Sequence, residues 1–86
     1  MPIYLQDKYG GWESKYVVDL YVQYAKKCFE LFGDIVDYFI TFNEPIVPVE
    51  GGYLYDFHYP CKKDGKMAMQ VAYNTILAHC RAVNEF

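Results

Sequence analysis

The run Tyr38-Phe39-Ile40-Thr41-Phe42-Asn43-Glu44-Pro45 constrains this chain more than any other stretch, because an apolar segment ends there on a carboxylate and then on a proline. Nearly every position from Val36 to Phe42 is apolar or aromatic, as in a strand buried on both faces of a parallel sheet. A carboxylate at the end of such a strand is costly to bury unpaired, so a cleft, an ion pair or a solvated rim must hold it. Pro45 fixes its own φ and pushes Glu44 out of the right-handed helical region, so the backbone has to leave the strand sharply there. Glu44 is thereby placed on a turn at a strand's carboxyl end, where α/β folds gather their functional groups.

The rest of the chain reads as support for that run. Its 86 residues allow one domain at most, near the size at which a single core is only just sufficient. Ten tyrosines, six phenylalanines and a hydrophobic share of 53% are a heavy apolar load for this length. Such a chain either associates with itself or is a piece of something larger. The net charge of −3 comes without blocks of like charge, which leaves no basic footprint for nucleic acid or for a membrane surface. Cys28, Cys61 and Cys80 are widely spaced and odd in number, a pattern that argues against a disulfide framework and fits a reducing, cytoplasmic compartment. The first twelve residues show no secretory signal, and no run reaches the length of a membrane span.

In chain order, Pro2-Ile3-Tyr4-Leu5 is an apolar opening, and the paired glycines of Tyr9-Gly10-Gly11-Trp12 mark a turn. Trp12 is read as packing this loop against the next helix, with stacking on a sugar ring as the other reading. Ser14 is a suitable N-cap for a helix Lys15 to Phe32 with apolar positions 17, 21, 24, 25, 28, 29 and 32 in phase, closed by Gly33 as C-cap. Gly33-Asp34 then connects to the strand Val36 to Phe42. Ile46 to Gly65 has no clear period, and a loop of that length is usually functional. Its Tyr53, Tyr55, Phe57, His58 and Tyr59 suit either contact with sugar rings or a self-packed Ω-loop. From Lys66 to the end a second helix carries the stripe Ala68, Val71, Ala72, Ile76, Ala82, Val83 and Phe86. The expected architecture is α/β, ordered helix, strand, long loop, helix, and a lone strand cannot satisfy its own backbone groups.

Ile40-Thr41-Phe42-Asn43-Glu44-Pro45, with Tyr9-Gly10-Gly11-Trp12, Phe32-Gly33-Asp34, Val36 and Tyr38 before it, closely resembles the family 1 glycoside hydrolases. Gly52-Tyr53 to Pro60, Ala78-His79 and Ala82-Val83 extend the resemblance, in effect over all 86 residues. The wording Val47-Pro48-Val49-Glu50-Gly51-Gly52-Tyr53-Leu54-Tyr55 is most similar to the bacterial 6-phospho-β-glucosidase branch. The resemblance implies a partial catalytic domain over residues 1–86, corresponding to the third helix, fourth strand and fourth helix of a (β/α)8 TIM barrel. Such a barrel takes about 250 residues, so this chain is expected to be a fragment unable to close one alone, beginning at an internal methionine or at an artificial cut.

The resemblance further implies a retaining β-glycosidase in which Glu44 matches the general acid/base and Asn43 the residue that hydrogen-bonds the sugar 2-hydroxyl. The substrate would be a β-glucoside or a 6-phospho-β-glucoside, and the chemistry would use no metal and no cofactor. A glycosidic oxygen leaves poorly unless protonated, so one carboxyl must donate a proton and then act as base toward water. A second carboxylate, about 5 to 5.5 Å away, attacks the anomeric carbon. No other glutamate here has a comparable strand-end setting: Glu13 and Glu30 lie before and on the first helix, Glu50 in the loop, Glu85 near the end. The isolated chain is therefore expected to be inactive. Regular pleating would send Asn43 and Glu44 to opposite faces, so a shared substrate requires the strand to break its pleat there.

Weaker signals have plainer readings. His58-x-x-Cys61 and His79-Cys80 lack the second tight pair of a zinc site. His79 is read as a helix residue whose ring packs inward and bonds a carbonyl, Cys28 and Cys80 as small core residues, Cys61 as exposed. The alternative to a catalytic fragment is a non-catalytic, self-associating structural or interaction piece, because amphipathic helices and one strand leave apolar faces and edges uncovered. A homo-oligomer would cover both. A small carbohydrate-binding module is a third reading, resting on the aromatic loop alone.

Overall fold

The computed structural model covers residues 1–86 and is entirely helical. Helix α1 spans Ile3–Tyr9, a 3-10 turn spans Gly11–Glu13, α2 spans Lys15–Phe32, α3 spans Ile46–Tyr53 and α4 spans Gly65–Glu85. The expected strand Val36 to Phe42 does not form: between Asp37 and Asn43 no backbone N–H or C=O enters a backbone hydrogen bond. The physical reason is simple. A strand exists only through its neighbours, and this chain supplies no second strand to pair with it.

Local chemistry explains most boundaries. Gly10 takes the left-handed conformation at φ 85°, and its N–H closes α1 on the Gln6 carbonyl at 3.0 Å. The Ser14 Oγ accepts the Tyr16 N–H at 3.0 Å and starts α2, and the Asp64 carboxylate accepts the Met67 N–H at 3.1 Å and starts α4. Gly33 is the C-cap of α2 as expected, its N–H on the Phe29 carbonyl at 3.0 Å. It stays right-handed at φ −59°, and Ile35 and Val36 donate to the Phe32 carbonyl to tighten the last turn.

The long loop was expected to lack structure, yet its first part is α3. Gly51 and Gly52, poor helix formers, conceal that helix in the sequence. The structure shows why glycine stands at 51. A Cβ there would lie 2.8 Å from the Phe57 ring and 2.9 Å from the His58 Cβ, because the loop after α3 folds back over it. The returning loop also caps α3: His58, Lys62 and Asp64 donate backbone N–H groups to the carbonyls of Gly51, Gly52 and Tyr53 at 3.0, 2.8 and 2.8 Å.

Helices α2 and α4 run side by side in the same direction, since Lys26 pairs with Glu85 at 4.0 Å and Phe29 meets Phe86 at 5.0 Å while Asp19 pairs with Arg81 one turn or more earlier on each helix. Two adjacent parallel helices demand a return path between them, and residues 33–64 are that path. The buried seam is built from small and branched residues: Val17, Val18, Val22 and Ala25 on α2, and Ala68, Val71, Asn74, Thr75, Ala78 and Ala82 on α4. Val49 and Tyr53 of α3 join Ala68 and Val71, with Trp12, Met67 and Ala72 packed on that cluster.

The buried faces of both long helices include Val17, Ala25, Ala68, Val71 and Ala82 of the apolar stripes expected from sequence, but not every member of those stripes. Tyr24 and Phe32 of α2 and Ile76, Val83 and Phe86 of α4 face solvent. Within these residues little packs over those positions, so they stay uncovered. Cys80 is likewise exposed and Cys28 half-buried, whereas Cys61 is exposed as expected. The radius of gyration is 13.5 Å, with extents of 42 × 23 × 19 Å, against roughly 12 Å for a compact chain of this length. No helix is long and apolar enough to cross a membrane.

Candidate active-site segment

Glu44 sits at φ 44°, in the left-handed region that few residues other than glycine enter. Its carbonyl accepts the Val47 N–H at 3.0 Å, and Pro45 is the residue on which α3 begins. Proline is well suited to that place, since its missing N–H has no partner at a helix start anyway. The backbone thus turns hard between Asn43 and Ile46, as the Glu44-Pro45 pair requires, and the strained residue is the glutamate itself. Asn43 and Glu44 are both exposed, and Glu44 takes part in none of the ion pairs.

Three side chains hold the residues just before this corner. The Tyr21 hydroxyl of α2 donates to the Thr41 carbonyl at 2.8 Å. The Thr41 hydroxyl and His79 Nδ1 of α4 share a hydrogen bond of 2.7 Å. Phe42 stacks on Tyr21 at 5.0 Å and leans on Trp12 at 5.4 Å, while Trp12 meets Tyr21 edge-on at 5.5 Å. Trp12 is thus the packing residue expected of it. His79 is not: its ring is exposed and bonds a hydroxyl rather than packing inward on a carbonyl, because the side of α4 it occupies faces the return path instead of α2.

Between this segment and α4 lies an open cleft of about 260 Å³, lined by Thr41, Phe42, Pro45, Thr75, Ile76 and His79. A second, of about 230 Å³, follows Asp37 to Phe39 along Phe29, Val83 and Phe86. Asn43 and Glu44 line neither. The loop aromatics are divided. Phe57 and His58 lie over Gly51 and the Tyr59 hydroxyl bonds Asp7, as in a self-packed loop, although much of each ring stays exposed.

Two polar centres escaped the sequence reading. Glu13 Oε2 accepts hydrogen bonds from Tyr53 Oη at 3.0 Å, Lys62 Nζ at 2.8 Å and Gln6 Nε2 at 3.3 Å, joining four parts of the chain. Burial and then the Glu13 charge raise the Tyr53 phenol far above its ordinary value, so it stays a neutral donor. Asn74 is fully buried; its amide donates to the Trp12 carbonyl at 2.8 Å and accepts from Gln70 at 3.0 Å. The signal for Asn74 was present in the spacing 71, 74, 75, 78, 82, which keeps helical phase once a buried amide is admitted.

The whole chain, residues 1–86, matches the model of glycosyl hydrolase family 1. The chain belongs to that family. It is 56% identical to the 6-phospho-beta-glucosidase GmuD of Bacillus subtilis over 86 residues, all of this chain and 18% of the relative. Beta-glucosidase A of Thermotoga maritima is 41% identical over all of this chain and 19% of its own length. A solved structure, a Thermotoga maritima family 1 glycoside hydrolase complexed with a cyclophellitol analogue transition state mimic, matches with a TM-score of 0.90 and 40% identity, covering 98% of this chain and 19% of the other. The chain spans about a fifth of the length of the curated relatives it matches.

Proposed function

We propose that this chain is the acid/base-bearing segment of a retaining β-glycosidase, a cytoplasmic 6-phospho-β-glucosidase, corresponding to the third helix, fourth strand and fourth helix of a (β/α)8 barrel. The observation that carries the reading is the strained corner at Glu44, next to Asn43, in a chain of this family. Breaking the strand pattern between the two residues lets both address one sugar. Glu44 protonates the departing glycosidic oxygen and then deprotonates water, while Asn43 holds the 2-hydroxyl, where hydrogen bonds strengthen in the transition state. The 56% identical relative named a 6-phospho-beta-glucosidase supports the phosphorylated glycone. The nucleophile carboxylate, the phosphate-binding groups and the neighbouring strands belong to barrel segments beyond this fifth of the relatives' length.

Two proteins test this with a chromogenic aryl β-glucoside and its 6-phosphate: the 86-residue chain, and the Bacillus relative with its matching segment replaced by this chain. The chain alone is expected to turn over neither substrate and the graft to hydrolyse the 6-phosphate. An active chain whose turnover disappears in Glu44→Gln would overturn the inactivity, and a folded but dead graft would overturn the segment assignment.

A second reading, self-association of the isolated chain, is favoured by its uncovered apolar side. Ile35, Tyr38 and Ile40 are 79%, 88% and 87% exposed, and Phe29, Phe39 and Phe86 form an aromatic group beside them. Apolar surface of that extent beside unpaired backbone drives association. Light scattering at micromolar concentration is expected to give a mass above the monomer that grows with concentration; a sharp monomer peak would count against it.

A further inference from the structure

We propose that His79 is a positioning residue for the reaction, acting through Thr41 to fix where the Glu44 corner stands; this rests on the assignment of Glu44 as acid/base. Thr41 precedes Asn43 by two residues and Glu44 by three, and side chains of two helices, α2 and α4, each bond one of its oxygens. Its carbonyl takes the Tyr21 hydroxyl at 2.8 Å and its hydroxyl meets His79 Nδ1 at 2.7 Å. No backbone hydrogen bond restrains residues 37 to 43 in this chain, so side-chain ties set the course of the segment. A strand ladder would fix its height and spacing, but rotation at its end, where the backbone enters the turn, is left to ties of this kind. His79 lines the cleft together with Thr41, Phe42 and Pro45. A proton donor is useful only within hydrogen-bond reach of the glycosidic oxygen, and a misplacement of about 1 Å can cost on the order of a hundredfold in rate.

The tie works with either tautomer, since the threonine hydroxyl both donates and accepts. That makes Thr41→Ser the conservative variant and Thr41→Val the disruptive one. In the Bacillus relative carrying this segment, His79→Ala and Thr41→Val are each expected to lower kcat by about 10- to 100-fold with KM little changed. The double variant should be no worse than either single one, and Thr41→Ser should stay close to the parent. Unchanged kcat in His79→Ala, additive losses, or Thr41→Ser as damaging as Thr41→Val would overturn the proposal. Nitrogen NMR of the 86-residue chain gives an independent check: the His79 Nδ1 resonance should move in Thr41→Val, and a fixed resonance would show that the tie is absent. Glu44→Gln in the same graft separates the two ideas. If it remains active, the acid/base assignment fails; if it is dead while His79→Ala is normal, only the positioning role fails.

Discussion

Glu44→Gln, made in the Bacillus relative carrying this segment, is expected to lower kcat on an unactivated β-glucoside 6-phosphate by about 10² to 10⁴-fold, the usual worth of general acid–base catalysis. The amide keeps the size of the side chain and removes the proton that the leaving oxygen needs. Substrates should divide by leaving group. An aryl glycoside with an acidic phenol leaves without protonation, so its first step survives and the glycosyl-enzyme accumulates, because no base remains to activate water. An anionic nucleophile such as azide needs no base and should restore turnover on that substrate, giving a β-glycosyl azide. Steady-state kinetics with and without azide check this. Equal losses on aryl and alkyl substrates, or no rescue, would remove Glu44 from the acid/base role.

The largest stability loss is expected at Tyr53. The residue is only 3% exposed, and it packs with Val49, Ala68 and Val71 while its hydroxyl meets Glu13. Tyr53→Ala removes an aromatic from a core this small and is expected to cost about 3 to 5 kcal/mol, enough to unfold a marginal chain. Tyr53→Phe keeps the ring and loses one hydrogen bond to a charged acceptor, about 1.5 to 3 kcal/mol. Alkali separates the ring from the hydroxyl. The folded phenol holds its proton far more tightly than a free one, through burial first and the Glu13 charge second. The hydroxyl's stabilisation is therefore complete below about pH 10, the ordinary tyrosine value. Above it the unfolded chain releases a proton that the folded chain keeps, and the advantage shrinks with rising pH. Urea melts should show the gap between the parent and Tyr53→Phe narrowing above that pH; a constant gap would mean that the phenol is not held neutral by the fold.

Much of the local structure was legible because its causes are local. Ser14, the Gly10-Gly11 turn and the Glu44-Pro45 break act through their own backbones, and α2 has the bounds Lys15–Phe32 that its cap and period indicate. The expected strand had no such cause, since a strand is held by neighbouring strands and these residues form none. Helix α3 was hidden by Gly51-Gly52, whose reason is the returning loop, a contact that no local pattern announces. The same holds for His79, whereas Asn74 keeps the helical phase of the buried face and was hidden only by its polarity. Family resemblance singled out Asn43 and Glu44, but their supports, Tyr21, Thr41 and His79, depend on which helix lies beside which.

The interface between α2 and α4 narrows, beyond its valines, to a stretch of alanines that resembles a smooth shaft in a smooth bore. Ala25, Ala78 and Ala82 offer few knobs to resist sliding there, so axial register leans on polar keys spaced along the pair: Asn74 on the Trp12 carbonyl, Arg81 on Asp19 and Lys26 on Glu85. His79 travels with α4 and Tyr21 with α2, and both grip Thr41. A slip of one helix along the other would thus appear as a skew of the glutamate corner, so substitutions at these distant keys are expected to shift its alignment without touching it.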